Sequence, residues 1–186
     1  TYTTPSAINL ASPPPRVSNI VGHYPFDGNY QDVSGKNHHG AILPTTSEPV
    51  LVADRFGNPN SAYQFNGNTV IYFGDAQAQE FPDNRDSFSI TVWVRYDTSR
   101  RDFLSIGNYG CSNSTRGVII RLGDNRQSQF NGCSRQGFLD GNFSDNNWHH
   151  MVFVYNRNIG RRVFVDGVVI PFYNLLGTGN IFNIRD

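Results

Sequence analysis

The chain has 186 residues, a length that fits one domain with a single hydrophobic core. Its 15 basic and 15 acidic residues balance, so neither a nucleic-acid partner nor an acidic tail is indicated. No apolar run approaches the roughly 18–20 residues of a spanning helix, which predicts no membrane insertion. Helix-favouring Lys, Glu and Met are scarce, whereas Gly, Asn, Tyr and Phe, which suit turns and strands, are abundant. We therefore predict an all-β fold.

The first 19 residues are rich in Pro, Ser and Thr and have no apolar period. Such a composition is typical of a linker or arm, with a tendency to polyproline II around Pro13, Pro14 and Pro15. The division predicted here is a linker or arm over residues 1–19 and a folded domain over residues 20–186.

From Ile20 onwards, short apolar runs recur and each is closed by Gly, Asn or Asp, which predicts a sandwich or barrel. Residues 51–70 carry Asn-Gly and Gly-Asn pairs and are predicted to form two short strands joined by tight turns. The runs are "IVGHYPF", "GAIL", "AYQF", "TVIYF", "SFSITVWVRY", "DFLSIG", "GVIIRL", "HHMVFVY" and "RRVFVDGVVIPF".

For two runs the sequence predicts the local geometry in more detail. In the run over residues 88–96, Phe88 and every second residue after it share one face, and Trp93 lies on the other. One face should therefore pack and the other meet solvent. Between two β-branched runs, Asp166-Gly167 indicates a two-residue type I′ hairpin turn, since Gly tolerates the positive φ that this turn requires.

Five blocks follow one another along roughly residues 20–170: "IVGHYPFDGNYQDVSGKNHHGAI", "VADRFGNPNSAYQFNGNTVIYF", "SFSITVWVR", "NNWHHMVFVYN" and "RRVFVDGV". In this order they resemble the laminin G-like, concanavalin A-like jelly-roll family. The resemblance implies an antiparallel two-sheet jelly-roll sandwich. It implies no single activity, because the superfamily includes lectins, carbohydrate-binding modules, adhesion domains and glycosidases.

The family normally closes with a further strand pair, whereas this sequence ends at "NIFNIRD". Either the chain is cut short, or a sheet edge lacks its neighbour and is covered by the N-terminal arm or by a second chain. This motivates an alternative function, a structural subunit of an extracellular filament or surface assembly completed by strand or arm exchange.

Signals for catalysis are weak. The catalytic members of the superfamily carry clustered acidic residues on one strand, but here Glu48 and Glu80 stand singly. His149 and His150 are adjacent, and neighbouring residues of a regular strand point to opposite faces, so both cannot bind one metal ion. The sequence therefore predicts no enzyme, with a glycoside hydrolase as the disfavoured reading.

The loop "DGNYQD" places oxygen donors at Asp27, Asn29 and Asp32, which is compatible with a structural Ca²⁺ ion. Relatives of this fold hold an ion near the corresponding loop. The alternative is that Asp27 and Asn29 merely cap a turn through hydrogen bonds to their own backbone.

Cys111 and Cys133 flank a predicted hairpin centred near Asp124, in which the numbers of paired residues should sum to about 248. The residue numbers of the two cysteines sum to 244, which is close to this value. We therefore predict a disulfide between them, and with it an oxidising compartment. Free thiols are the alternative. The sequons at Asn113 and Asn142 would accept N-glycans in a eukaryotic source. Together these features predict a secreted or cell-surface location.

A sugar site combines an aromatic platform with hydrogen-bonding side chains. The candidates are Tyr109, Arg116, Asn125 and Arg126, and the alternative for each is an ordinary loop residue. The function predicted is a non-catalytic extracellular recognition or adhesion module that binds a glycan or a protein, with self-association as a further expectation.

Overall fold

The computed structural model describes residues 19–74, 87–97, 101–106, 118–123, 128–132, 136–156, 158 and 160–176. These residues form strands, turns and extended segments, and no helix is found among them. Accordingly, none of the described segments is a helix long and apolar enough to cross a membrane. The all-β prediction is confirmed.

Four short strands in the first part of the chain form two separate antiparallel pairs. The first strand pairs with the fourth, and the second with the third. They are β1 (Ala41–Ile42), β2 (Val50–Val52), β3 (Ala62–Gln64) and β4 (Ile71–Tyr72).

Nine further strands form two larger antiparallel sheets. One sheet has the order β12-β11-β10-β5 and the other the order β13-β9-β8-β7-β6. The strands are β5 (Phe88–Val94), β6 (Arg101–Ile106), β7 (Val118–Leu122), β8 (Gln129–Gly132), β9 (Gln136–Leu139), β10 (His149–Asn156), β11 (Gly160–Val165), β12 (Val168–Ile170) and β13 (Phe172–Leu176).

The hydrophobic core lies between the two larger sheets, as in a concanavalin A-like sandwich. Phe130 of one sheet and Phe153 of the other meet edge to face at 5.5 Å between ring centroids, a favourable aromatic geometry. The predicted alternation of β5 is confirmed, since the face that begins with Phe88 packs against the core whereas Trp93 is exposed. The fully or nearly buried apolar residues are Ile120, Leu122, Phe130, Leu139, Met151, Phe153, Tyr155, Val163 and Val165.

The Asp166-Gly167 turn has the predicted geometry. Both residues have positive φ, 51° and 83°, and Val165 pairs with Val168 across a two-residue connection. A type I′ turn joins β11 to β12, and Gly167 occupies a backbone conformation that side chains with a Cβ adopt only with strain.

Two expectations for the first part of the chain are wrong. The run over residues 20–26 is not a strand, because its backbone groups pair with side chains and loop atoms instead of a neighbouring strand: His23 N–H donates to the Asp32 carboxylate, and the Val21 carbonyl bonds to His38. The second concerns the connection between β2 and β3.

That connection is not a tight turn but spans residues 53–61. The Asp54 carboxylate organises it, accepting hydrogen bonds from Phe56 N–H at 2.8 Å and from Asn58 N–H at 2.9 Å. The two strands themselves are confirmed, with Val50 opposite Gln64 and Val52 opposite Ala62. A carboxylate-centred loop thus takes the place of the expected Asn-Gly turn.

Several predicted features fall outside the described residues. They are the Pro-rich segment over residues 1–18, Glu80, and the terminal segment "NIFNIRD" over residues 180–186. The domain division and the covering of a sheet edge therefore stay predictions.

Candidate functional site

The loop predicted to bind calcium is built around the Asp32 carboxylate. Its Oδ1 accepts hydrogen bonds from the N–H groups of His23 and Ser34, both at 2.8 Å. Its Oδ2 accepts from the Ser34 hydroxyl at 2.8 Å and from His38 N–H at 3.1 Å. The side chain is only 5% exposed. Burial, which by itself raises a carboxyl pKa, is outweighed by these hydrogen bonds, and the pKa of Asp32 is lowered to about 2.

The other two predicted ligands are exposed in the same loop. Asn29 Oδ1 accepts from Gln31 N–H at 2.9 Å, and its amide lies 3.4 Å from the Asp27 carbonyl oxygen, so Asn29 caps a turn. Within the described residues, no group of three or more His, Cys, Asp or Glu side chains is placed to hold a metal ion. The contacts of Asn29 support the turn-capping alternative for that residue, and calcium binding stays a prediction.

Calcium binding here has a direct thermal test. If Asp27, Asn29 and Asp32 ligate Ca²⁺, millimolar Ca²⁺ should raise the melting temperature by mass action, because the ion binds only the folded loop. Asp27→Ala should abolish the rise without lowering the melting temperature in EDTA, since Asp27 is exposed. Identical melting curves in Ca²⁺ and in EDTA for the unaltered chain would leave turn capping as the role of this loop.

The hairpin predicted between the cysteines is present. Strands β7 and β8 pair with Val118 opposite Gly132, so partner numbers sum to 250 instead of the expected 248. Val118 also pairs with Ile106. The segments that contain Cys111 and Cys133 therefore both join the sheet at this end. Both cysteines lie outside the described residues, and the disulfide stays a prediction.

The four predicted ligand-binding residues also lie outside the described residues, but the strands that anchor them are described. Tyr109 and Arg116 belong to the connection from β6 to β7, and Asn125 and Arg126 to the connection from β7 to β8. These connections are attached to opposite ends of β7, which is about 13 Å long. The positions of the flanking strands therefore do not by themselves bring Tyr109 and Arg116 close to Asn125 and Arg126.

The sequon at Asn142 has a conformation suited to modification. Asn142 is exposed, and its Oδ1 accepts from the Ser144 hydroxyl at 2.7 Å and from Ser144 N–H at 3.3 Å. The hydroxyl of the sequon thus lies directly beside the amide that would carry the glycan. The other sequon, at Asn113, is outside the described residues.

An exposed aromatic platform lies on the outer face of the four-stranded sheet. Trp93 of β5 is 41% exposed and stacks on His150 of β10, its partner across the ladder, at 5.1 Å between ring centroids. His150 Nε2 is 2.7 Å from the Thr91 hydroxyl. The guanidinium carbon of Arg55 lies 4.5 Å from the Trp93 ring centroid and 4.1 Å from that of Phe56. We call Arg55, Thr91, Trp93 and His150 the Trp93 platform.

Tertiary structure gathers this platform from three separate segments. Trp93 and Thr91 are two residues apart on β5, so strand alternation in the sequence already predicts that they share a face. The addition of Arg55 depends on where the β2–β3 connection lies, and the sequence contains no pattern that specifies it. A search for exposed aromatic positions on predicted strands would have found Trp93 but neither Arg55 nor His150.

The adjacent histidines of β10 do point to opposite sides, as expected. His150 belongs to the platform, whereas His149 lies between two carboxylates: its Nδ1 is 2.7 Å from Asp166 Oδ2 and its Nε2 is 3.0 Å from Asp145 Oδ1. Neither ring nitrogen of His149 is therefore open to a metal ion.

Comparison with protein families gives one match over more than half of the chain. The Laminin_G_3 model, described as concanavalin A-like lectin/glucanases superfamily, matches residues 65–178. Curated proteins and solved structures gave no match. The matched range includes β4 to β13 and the whole two-sheet sandwich.

Proposed function

The chain belongs to the concanavalin A-like lectin/glucanase superfamily, and from this premise we propose that it is a non-catalytic extracellular recognition module that binds a glycan on the Trp93 platform. The observation that carries the proposal is the exposed Trp93 ring surrounded by hydrogen-bonding side chains. A protein ligand is the second form of the same recognition role.

The platform has the chemistry that sugar recognition requires. Pyranose rings present C–H groups on one face, and these pack on the electron-rich face of an indole ring, while the hydroxyl groups need polar partners. The His150 ring and the Arg55 guanidinium lie beside the indole and supply such partners, and the Thr91 hydroxyl, 2.7 Å from His150 Nε2, adds a third. Val152 and Phe164, which point outward from the same sheet, add half-buried apolar surface to this face.

The ionisation of the carboxyl groups supports a non-catalytic role. A glycosidase needs one carboxyl group with a raised pKa to act as the general acid. In every described carboxyl group whose pKa is shifted, the pKa is lowered, because hydrogen bonds to the charged form outweigh any desolvation. These groups are Asp32, Asp54, Asp145 and Asp166.

An extracellular location agrees with the exposed sequon at Asn142 and with the predicted disulfide. In such a location, a recognition module binds its ligand without converting it chemically. The predicted calcium ion, if bound, would brace the Asp32 loop, which lies in a different part of the chain from Trp93.

A glycan array tests the role and the site together. The unaltered chain should bind a defined set of glycans, and Trp93→Ala should weaken that binding at least about tenfold, because it removes the stacking surface. Tyr72→Ala is the matched control, since Tyr72 is an exposed aromatic residue on β4 with a similar exposed fraction, 46%. The control should bind as the unaltered chain does.

Different outcomes contradict different parts of the proposal. Undiminished binding by Trp93→Ala would exclude the platform as the site, and absence of binding to every glycan would exclude glycan recognition. Release of shorter sugars from bound oligosaccharides would overturn the non-catalytic role. Sedimentation of large, growing particles without any ligand would favour the structural-subunit alternative.

A further inference from the structure

A cluster of three titratable side chains joins separate parts of the fold on the side of β10 away from the Trp93 platform. His149, the first residue of β10, lies between Asp145 of the preceding loop and Asp166 of the β11–β12 turn. The His149 side chain is 14% exposed, whereas both carboxylates are about half exposed. The Phe143 ring packs edge-on against the imidazole at 5.9 Å between centroids.

The two contacts of His149 require a particular protonation state. A neutral imidazole has one N–H donor and one lone pair, whereas an imidazolium has two N–H donors. Both ring nitrogens face carboxylate oxygens, at 2.7 Å and 3.0 Å, and an ionised carboxylate only accepts hydrogen bonds. Only the protonated ring therefore satisfies Asp145 and Asp166 at once. In the neutral ring, one lone pair would face a negative oxygen.

We propose that His149 is a pH-dependent latch that, when protonated, holds the loop over residues 140–147 against the β11–β12 turn and releases it when it loses a proton. The latch is a property of the fold and is independent of the proposed ligand. It is formed by residues from three elements, and the imidazole ring contacts both carboxylates.

The carboxylate that is released is Asp145. Asp166 has the shorter contact to the ring, and its Oδ1 also accepts from His150 N–H at 2.9 Å, which fixes it independently of His149. The neutral tautomer that keeps the proton on Nδ1 therefore retains Asp166 and turns a lone pair toward Asp145. Asp145 keeps its hydrogen bonds to Asn147, both 2.9 Å, but these lie within the loop and do not hold it to the turn.

The electrostatic surroundings set the direction of the response. Partial burial by itself lowers the pKa of His149, but hydrogen bonds and charge from Asp166 and Asp145 outweigh it and raise the pKa above 6.5. The hydrogen bonds from Asn147 and His149 lower the pKa of Asp145 to about 2, so it stays ionised. The pKa of Asp166 is also lowered, first by its hydrogen bond to His149, and the charge of His150 contributes in the same direction. Tyr96, two residues after the end of β5, interacts with the charge of Asp145.

The sign of the effect follows from linkage. The pKa of His149 is higher in the folded state than in the unfolded state, so the stabilisation is fully present below about pH 6.5 and is lost as the pH rises through the folded pKa. The loop should therefore be held at pH 6 and released at pH 9. Two backbone hydrogen bonds that also anchor the loop, from Asn146 N–H to the Tyr96 carbonyl at 3.1 Å and from Asp140 N–H to the Pro171 carbonyl at 2.8 Å, do not titrate.

Two measurements on the unaltered chain test the latch. An NMR titration of the His149 ring should give a pKa above that of an unperturbed histidine. Amide hydrogen exchange, corrected for the intrinsic pH dependence, should show protection of residues 141–147 that falls several-fold between pH 6 and pH 9, with β10 and β11 unaffected. A His149 pKa at or below 6.5, or equal loop protection at both pH values, would overturn the proposal.

Variants separate the latch from a general loss of structure. Asp145→Asn removes the charge but keeps the side-chain shape, so the pKa of His149 should fall and the pH dependence of loop protection should shrink. Asp145→Ala should leave the loop poorly protected at both pH values. Glu48→Gln removes an exposed carboxylate elsewhere and should retain the full response. An unchanged pH dependence in Asp145→Asn would contradict the latch even if every variant folds.

Discussion

Replacing Asp32 with alanine is expected to lower the free energy of unfolding by about 3 kcal/mol, since each buried N–H left without an acceptor costs about 1–3 kcal/mol. Three backbone N–H groups, those of His23, Ser34 and His38, would lose their acceptor together. The Tyr24 hydroxyl, which donates to the His38 carbonyl at 2.8 Å, would lose the support of the loop it binds. Urea denaturation monitored by fluorescence measures the loss.

The same carboxylate predicts a pH dependence of stability. The pKa of Asp32 is about 2 in the folded chain and 3.8 without the fold, so its stabilisation is present above about pH 4 and is lost as the pH falls through 2. Asp32→Asn should lack this acid-dependent part. Asp27→Ala, an exposed change in the same loop, should stay within about 0.5 kcal/mol of the unaltered chain. An equal loss for both alanine variants would show that the network contributes little.

Replacing Arg161 with alanine should cost about 4 kcal/mol, within the range for emptying a large buried site. Arg161 of β11 points into the core with 2% of its surface exposed and donates to the Phe130 carbonyl of the opposite sheet. Its guanidinium carbon lies 6.0 Å from the Phe130 ring centroid and 5.3 Å from that of Phe172. Alanine would leave a cavity between the sheets and remove this hydrogen bond.

Arg161→Met separates packing from charge. Methionine fills most of the same volume, and well-packed apolar replacements of buried charged groups are often neutral. We expect less than half of the loss caused by alanine. Arg162→Ala, an exposed change on the next residue of β11, is the control and should have little effect. If methionine were as destabilising as alanine, the hydrogen bonds of the guanidinium would outweigh its packing.

Packing around Arg161 also explains the glycine at position 137. A Cβ at Gly137 would lie 2.9 Å from the Phe172 ring and 3.2 Å from the Arg161 guanidinium carbon. Because these atoms belong to β9, β13 and β11, the requirement for glycine arises only when two sheets meet. Nothing in the local sequence "QGFL" distinguishes this glycine from one in a turn.

The sequence by itself determined the strand class, the alternation of β5 and the turn at Asp166-Gly167. These features depend on neighbours a few residues apart: side chains alternate along a strand, and a type I′ turn needs positive φ at two successive positions. The fold family was also recognisable, since its blocks preserve such local patterns in order. Residues 20–26 show the limit, because an apolar run forms a strand only where another strand offers its backbone.

Tertiary structure alone decided how distant side chains are combined. It gave the Asp32 carboxylate four donors, inserted Arg161 between two sheets, brought Arg55 to Trp93 and placed His149 between Asp145 and Asp166. The contacts of Arg161, of Arg55 with Trp93 and of His149 with Asp166 depend on how sheets and connections far apart in the chain are assembled, whereas those of Asp32 depend on the path of the loop over residues 23–38. Hydrogen bonds and charges act over a few ångströms, so the chemistry of these groups is undefined until the sheets are assembled.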